Sequence, residues 1–323
     1  AAGARAQTVT SSQGLAFMWE ALYVAAGLRL PIVLHGANRA LSAPVSIHVD
    51  HTDTMGARDS GWIQLYAENG QEAYDNALMA VRIAEDPGVM LPVLATQDGY
   101  TVSHSVERLE LLPDAAARQF VGTYHAQRSL LDVRNPITVG GIVSPAYLFE
   151  IKRQMVEAMD NALDVIARIG QEYGRLSGRS YGLIEGYQLD DAEVAIVLLG
   201  STAGTTRVAV DMLRSQGIRA GLLRIRSFRP FPVDEVAEAL KNKGAVAVLD
   251  RAFSFGAAGS PLFQDICSAL HRKGVSIPLV NYVYGIGGRD AAPDELAKVF
   301  QEMELVADSG QSIESIRFLS MRE

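Results

Sequence analysis

The sequence predicts an α/β protein built on two doubly wound, parallel sheets, and three observations carry that prediction. Short β-rich runs alternate with amphipathic stretches from Gln7 onward. The strand candidates are continuously apolar rather than alternating, the mark of parallel strands covered on both faces. Between Glu193 and Glu302 four strand–helix units follow one another, the pattern of a doubly wound sheet. The length of 323 residues fits roughly two domains at about 150 residues each.

Gln7–Thr10 reads as a short strand, and Ser12–Gly14 turns the chain into a helix over Leu15–Ala26. Pro31–Gly36 is a buried strand, Ile63–Tyr66 another, and Ala67–Asn69 leads into a helix over Gln71–Glu85. Val89–Thr96 is the next strand, closed by the turn signal Asp98-Gly99. Leu109–Gly141 is irregular and long for a plain connection, which suggests a segment wrapped over a neighbour. Tyr147–Tyr173 is a long helix, with Met155, Met159, Leu163, Ile166 and Ile169 recurring at helical spacing. Gly174–Gly182, rich in Gly, Ser and Arg, reads as the linker.

The second half starts with a strand at Glu193–Leu199 and a helix at Thr205–Ser215, stopped by Gly217. A strand at Ala220–Ile225 follows, and Pro232 opens a helix at Val233–Lys241, a favoured place for proline. Then come strand Ala245–Leu249, helix Leu262–His271, strand Ile277–Val283 and helix Pro293–Glu302. Val306–Glu323 has no clear period and reads as a docking tail.

Composition narrows the function. Hydrophobic residues make up 48% of the chain and charged residues 20%, enough apolar material to exclude a disordered chain. The net charge of −8 argues against a nucleic-acid binder. No apolar run is long enough to suggest a membrane span. The single cysteine, Cys267, cannot form an internal disulfide, a Cys-based zinc site or an iron–sulfur cluster. Low cysteine use fits a cytoplasmic protein. The start, Ala1-Ala2-Gly3-Ala4-Arg5, lacks the features of a signal peptide and reads as a chain entered part-way, with a strand already under way.

Five segments could carry chemistry. Thr10-Ser11-Ser12-Gln13-Gly14 joins a strand to a helix; it is either a plain N-cap or a turn for polar ligand atoms. Asn38-Arg39-Ala40-Leu41-Ser42-Ala43-Pro44 lies past the carboxyl end of a strand, where ligands of open α/β sheets sit. Arg39 has no acidic residue within ten positions on either side, so it is a surface arginine, the partner of a distant acid, or a grip for a ligand carboxylate. His48-Val49-Asp50-His51-Thr52-Asp53 matches no zinc spacing and reads as a polar turn or subunit contact, and Arg58-Asp59-Ser60-Gly61 as another structural turn. Asp98-Gly99-Tyr100, with Ser103 and His104, also follows a strand, but His104 has no partner at a diagnostic spacing. Gly200-Ser201-Thr202-Ala203-Gly204 looks like a phosphate loop without its Gly-Lys-Ser/Thr ending, so tight turns and close packing explain its glycines.

Taken together, Thr8–Leu15, Asn38–Pro44, Asp50–Asp53 and Arg58–Trp62 occur in the order found in the alpha subunit of pyruvate:ferredoxin oxidoreductase and related 2-oxoacid:ferredoxin oxidoreductases. The sequence resembles that family over nearly its whole length. The resemblance implies a pyrimidine-binding thiamin-enzyme domain over 1–175 and a transketolase C-terminal-like domain over 183–323. It implies oxidative decarboxylation of pyruvate with coenzyme A to acetyl-CoA and CO2, with electrons passed to ferredoxin. Thiamin diphosphate would be shared with a partner beta subunit that carries Mg²⁺. Iron–sulfur clusters would sit on beta and delta-type subunits, and coenzyme A contacts largely on a gamma-type one. Arg39 matches the family arginine that grips the substrate carboxylate; Thr10, Ser11, Ser12, Gln13, Gly14, Asn38 and Ser42 would line the cofactor and substrate, with no metal held by this chain.

The resemblance also implies a threonine and a cofactor-activating glutamate upstream of Ala1, which nothing here replaces by position; Glu20 lies beyond the Thr10–Gly14 turn. Another oxoacid (2-oxoglutarate, a branched-chain oxoacid or oxalate) stays open. Ser42 and Ala43 offer no second cation for a dicarboxylate, which favours pyruvate over 2-oxoglutarate. A non-catalytic scaffold that docks redox subunits is the alternative from another class. A transketolase-like enzyme without electron transfer is disfavoured by the Asn38–Pro44 motif.

Overall fold

In the computed structural model, which describes residues 1–310, 313 and 316–322, the apolar runs become strands of two sheets. The chain runs β1 (Ala6–Thr10), α1 (Gln13–Phe17), α2 (Trp19–Gly27), β2 (Ile32–Asn38), α3 (Thr52–Gly56), β3 (Ile63–Tyr66), α4 (Gly70–Glu85) and β4 (Val93–Asp98). It continues through α5 (Asp114–Val121), α6 (Pro145–Ser177), β5 (Ile184–Tyr187), β6 (Val194–Leu198), α7 (Thr202–Ser215), β7 (Ala220–Ile225) and β8 (Ser227–Arg229). It ends with α8 (Val233–Leu240), β9 (Ala245–Asp250), α9 (Pro261–Arg272), β10 (Leu279–Val283), a 3-10 turn at Ile286–Gly288, α10 (Pro293–Ser309) and β11 (Arg317–Phe318).

The first sheet has the order β1-β2-β4-β3-β8 and the second β11-β10-β9-β6-β7-β5. Pairing is parallel except at two edges, where β8 lies antiparallel to β3 and β5 antiparallel to β7. Every residue of β6, β7 and β9 is buried, which is why these strands read as unbroken apolar runs. Helices cover both faces of each sheet. On the first, Leu15, Leu22 and Ala26 pack with Leu34 and Leu94 on one side. On the other, Met79, Ile83, Ile166 and Ile169 pack with Val33, Ile63 and Val93.

Several boundaries differ from the sequence reading. The helix expected over Leu15–Ala26 is two helices meeting at Met18, whose N–H bonds the carbonyl of Leu15 at 3.0 Å and so tightens the last turn of α1. The strand expected at Pro31–Gly36 runs on to Asn38, because Ala37 and Asn38 pair with Gln97 and Asp98 of β4. In α6 the buried stripe is Ala158, Ala162, Val165, Ile166, Ile169 and Tyr173, while Met155, Met159 and Leu163 lie at its margin. Small alanines let this helix approach the sheet, and an apolar stripe defined by large residues misses them. The irregular Leu109–Gly141 stretch contains α5, whose Phe120 and Val121 pack on the same core.

The glycine-rich stretch Gly174–Gly182 is pinned rather than loose. Helix α6 continues to Ser177 and ends on the left-handed Gly178. Beyond it, Arg179 Nε donates to Asp75 at 2.8 Å, and the Tyr181 hydroxyl donates to the same buried carboxylate at 2.6 Å. Of the tail Val306–Glu323, the first residues complete α10, and Arg317–Phe318 add an edge strand beside Tyr282–Val283. Residues 311, 312, 314, 315 and 323 of that tail lie outside the described residues.

Candidate active site

Strands β1, β2 and β4 end side by side, and their carboxyl ends carry three of the segments singled out in the sequence. Thr10 pairs with Gly36, and Asn38 with Asp98, so the Thr10–Gly14 turn, the Asn38–Pro44 loop and the Asp98–Tyr100 turn share one edge. That is the crevice in which open α/β sheets bind ligands.

The first two segments are cross-tied. The Ser12 hydroxyl donates to the carbonyl of Ala40 at 2.5 Å and lies 2.6 Å from Gln13 Oε1. Gln13 Nε2 donates to Ser42 Oγ at 2.5 Å, while its Oε1 accepts from Arg39 Nη2 at 3.2 Å. The structure therefore brings Ser12, Gln13, Arg39 and Ser42 into one contact network. At Gly14 a Cβ would lie 2.3 Å from Thr10 Oγ1, so a larger residue there would displace the Thr10 hydroxyl. Ser11 supplies the carbonyl that accepts from Gly14 N at 3.0 Å.

Arg39 is half-buried and makes no ion pair with an acid among the described residues. Its Nε is buried and, among the described residues, has no hydrogen-bond partner; the same holds for Asn38 Oδ1. A buried donor without a partner is costly. Guanidinium N–H groups form their strongest hydrogen bonds to anionic oxygens.

Beneath these loops lies a carboxylate that the sequence reading left in a polar turn. Asp53 is buried; its Oδ2 accepts from Ser12 N at 2.9 Å and Arg39 N at 3.0 Å. Its Oδ1 accepts from Thr54 N at 2.8 Å and Asn38 Nδ2 at 3.2 Å. Burial pushes this carboxyl up to about 6, against the pull of those four N–H donors.

The second unit closes over the β4 end of the site. Asp98 accepts from His51 Nε2 at 2.8 Å, from Arg251 Nη1 at 3.0 Å, and from Ser201 N and Oγ at 3.0 and 2.6 Å. Burial alone would raise the Asp98 carboxyl, but His51, Arg251 and Ser201 outweigh it and hold it below the ordinary aspartate range. The turn at Gly200–Gly204 thus binds a carboxylate of its own chain. Gly200, at φ +73°, would place a Cβ 2.9 Å from both Asp98 oxygens. One sequence signal could have found Asp98: a charged residue closing a continuously buried strand needs a buried partner.

His48 and His51, neighbours in sequence, serve different partners: His48 packs edge-on against Tyr100, with ring centres 4.8 Å apart. His104 stacks on Tyr100 and bonds Ser103 Oγ at 2.8 Å on the exposed side. Among the described residues no group of three or more His, Cys, Asp or Glu side chains could hold a metal ion, and no helix is long and apolar enough to cross a membrane.

A family model described as pyruvate flavodoxin/ferredoxin oxidoreductase, thiamine diphosphate-binding, matches residues 1–171. A second, pyruvate:ferredoxin oxidoreductase core domain II, matches residues 192–296. The chain belongs to the pyruvate:ferredoxin oxidoreductase family. It is 47% identical to pyruvate synthase subunit PorA of Thermotoga maritima, over 100% of this chain and 81% of that protein. It is 42% identical to PorA of Methanocaldococcus jannaschii over 95% of this chain and 79% of that one. Ketoisovalerate oxidoreductase subunit VorA of Pyrococcus abyssi is 40% identical over 96% of this chain and 78% of its own. Among solved structures, a 2-oxoglutarate:ferredoxin oxidoreductase from Magnetococcus marinus shares the fold, with a TM-score of 0.68 at 19% identity; 94% of this chain matches 54% of that one. A split-gene transketolase also shares it, with a TM-score of 0.50 at 12% identity, over 93% of this chain and 76% of that one.

Proposed function

We propose that this chain is the alpha-type subunit of a cytoplasmic, multi-subunit enzyme that oxidatively decarboxylates pyruvate with coenzyme A, giving acetyl-CoA and CO2 and passing electrons to ferredoxin. The relatives named pyruvate synthase subunit PorA support pyruvate as the oxoacid. The observation that carries the site is Arg39: a cation with a buried, unpartnered Nε at the carboxyl end of β2, on a loop tied to the Thr10–Gly14 turn. In this reading residues 1–175 are the pyrimidine-binding domain and 183–323 the transketolase C-terminal-like domain.

The residues present fit one part of a thiamin diphosphate site. Thr10, Ser11, Ser12, Gln13, Asn38 and Ser42 offer neutral polar groups that suit an aminopyrimidine and a small oxoacid, and Arg39 suits a carboxylate. The crevice offers no cluster of carboxylates for the diphosphate's Mg²⁺ among the described residues. In this reading the Mg²⁺ end belongs to a beta-type subunit. Iron–sulfur clusters, which the lone Cys267 cannot hold, are assigned to beta and delta-type subunits, and coenzyme A contacts to a gamma-type one. Phe17, Trp19, Val45 and Ile47 are exposed on the helices and loop beside the crevice, an apolar rim that suits a covering subunit. When bound, thiamin diphosphate supplies the nucleophilic carbon and electron sink of decarboxylation. Arg39 holds the oxoacid carboxylate by a charge-assisted pair, Gln13 restrains the guanidinium, and the covering subunit excludes water.

The assembled complex is assayed anaerobically for viologen-dye reduction with pyruvate and coenzyme A. Reduction that requires both supports the reading. Reduction with 2-ketoisovalerate but not pyruvate would replace the substrate, and the VorA relative makes that arm necessary. No reduction with any 2-oxoacid would leave a docking scaffold.

A further inference from the structure

The Asp53 carboxylate reaches both loops of the crevice at once. One oxygen, Oδ2, accepts the backbone N–H of Ser12 and of Arg39, so a single atom fixes where each loop leaves its strand. The other, Oδ1, accepts Asn38 Nδ2 and its own neighbour, Thr54 N. Asn38 Nδ2 in turn donates to Thr54 Oγ1 at 2.6 Å, and that hydroxyl accepts from Tyr66 at 2.8 Å. Tyr66 lies in β3 and is fully buried, so the chain of bonds ends on a rigid strand. No cation pairs with Asp53 among the described residues. Its charge is met by N–H dipoles, two of them from the crevice loops.

Ser12 gives a second sign of this control. It sits at φ +51°, ψ −120°, backbone space that a residue with a side chain adopts only when its surroundings impose it. The bond from Ser12 N to Asp53 is one of those impositions, and the Ser12 hydroxyl bond to the Ala40 carbonyl is the other. The loop bearing Arg39 is thus held at two backbone points: Arg39 N on Asp53, and Ala40 O on Ser12, itself held by Asp53.

We propose that Asp53 is the positioning residue of the oxoacid site: it sets the relative placement of the Ser12 turn and the Arg39 backbone, and so aims the Arg39 guanidinium at the substrate carboxylate. This rests on the reading of Arg39 as the carboxylate grip. In this proposal Asp53, buried and bonded within the chain, acts through Arg39.

Asp53→Asn keeps the shape but turns one oxygen into an NH2 that must face N–H donors. In the assembled complex it is expected to raise the pyruvate KM about tenfold to a hundredfold while kcat stays within about threefold. The coenzyme A KM stays put. A merely structural carboxylate would lower the active fraction, and hence kcat, without moving the pyruvate KM. The decisive comparison is with Arg39→Ala and the double variant. Action through Arg39 makes the double variant no worse than Arg39→Ala, whereas independent roles multiply. A strong effect of Arg39→Ala with an unchanged pyruvate KM in Asp53→Asn, or multiplicative effects, overturns the proposal and leaves the Arg39 reading standing. No effect of Arg39→Ala overturns that reading itself, and the proposal with it. If Asp53→Asn does not assemble, Asn38→Ser withdraws one of the four donors and leaves the backbone ties. It is expected to raise the pyruvate KM about threefold and to be masked in the Arg39→Ala background; an unchanged KM sinks the idea.

Discussion

Replacing Arg39 by alanine is the most direct perturbation of the site, and the structure allows its effect to be separated from damage to the loop. Among the described residues the guanidinium makes one hydrogen bond, from Nη2 to Gln13 Oε1 at 3.2 Å. After truncation that oxygen loses its Arg39 donor, while the Gln13–Ser42, Ser12–Ala40 and Arg39 N–Asp53 bonds persist. The buried, unpartnered Nε disappears with the side chain, which removes a cost of the free protein. Loss therefore falls on the ligand. A charge-assisted bond to a carboxylate is worth about 1.5–3 kcal/mol, or about 10- to 140-fold in kcat/KM at about 1.4 kcal/mol per decade. Most of it should appear in KM, because the carboxylate is held before bond breaking begins. Arg39→Lys keeps the charge without the fork and should fall between wild type and alanine. The assay is initial-rate viologen reduction at saturating coenzyme A with pyruvate varied. A kcat/KM for Arg39→Ala within about twofold of wild type would refute the reasoning, as would a kcat that falls with an unchanged KM.

Two further outcomes test the scaffold around the site. Asp98→Asn puts an NH2 among the donors of His51, Arg251 and Ser201 and should destabilise the fold by about 3–5 kcal/mol, read as a lower denaturant midpoint; a loss under about 1 kcal/mol would contradict the hub. Asp250 is a buried carboxylate that caps α9 through Leu262 N and Phe263 N and accepts from Asn281. Burial pushes it up to about 7, with Asp265 adding to the rise. The folded state then holds a proton that the unfolded state has released, so Asp250 stabilises most at low pH. That stability is lost as pH rises toward 7, at about 1.4 kcal/mol per unit, and levels off above. Unfolding measured at pH 5, 6 and 7 should therefore show wild type losing ground to Asp250→Asn across that interval, and a constant difference would remove Asp250 as the cause.

What was legible in the sequence follows from what is local. Strands such as Ile63–Tyr66 and Ala220–Ile225 could be read to the residue, because a strand buried on both faces writes its limits in apolar composition. Strands β5 and β8 left no such trace. Ile-Glu-Gly-Tyr and Ser-Phe-Arg are edge pieces set by their antiparallel neighbours, and composition carries no record of a neighbour distant in sequence. The same division runs through the site. Arg39 stood out because nothing acidic lies near it in the chain, a local fact. Asp53 and Asp98 did not, because their partners come from far along the chain: Ser12 and Arg39 for one, Ser201 and Arg251 for the other.

The distant partners of Asp98 gather at one end of the crevice. Glu72 sits buried between Arg224 and Arg226, Glu68 pairs with Arg207, and Asp98 takes Arg251 and Ser201, so the second half of the chain clamps the β3–β4 side of the first sheet. Breaking one of these buried pairs would strand a charge in the interior, so they resist separation more than surface pairs do. Strand β8 adds backbone bonds to the same side. Nothing comparable covers the β1–β2 side among the described residues: β1 is mostly exposed, and Phe17, Val45 and Ile47 face outward. An arginine with a buried, unpartnered nitrogen therefore sits where a rigid, charge-locked half meets an open, apolar rim. That placement suits a site whose remaining wall is another polypeptide. It also predicts where failure should divide: substitutions in the clamp cost stability first, and substitutions among Ser12, Gln13, Arg39 and Asp53 cost substrate affinity first.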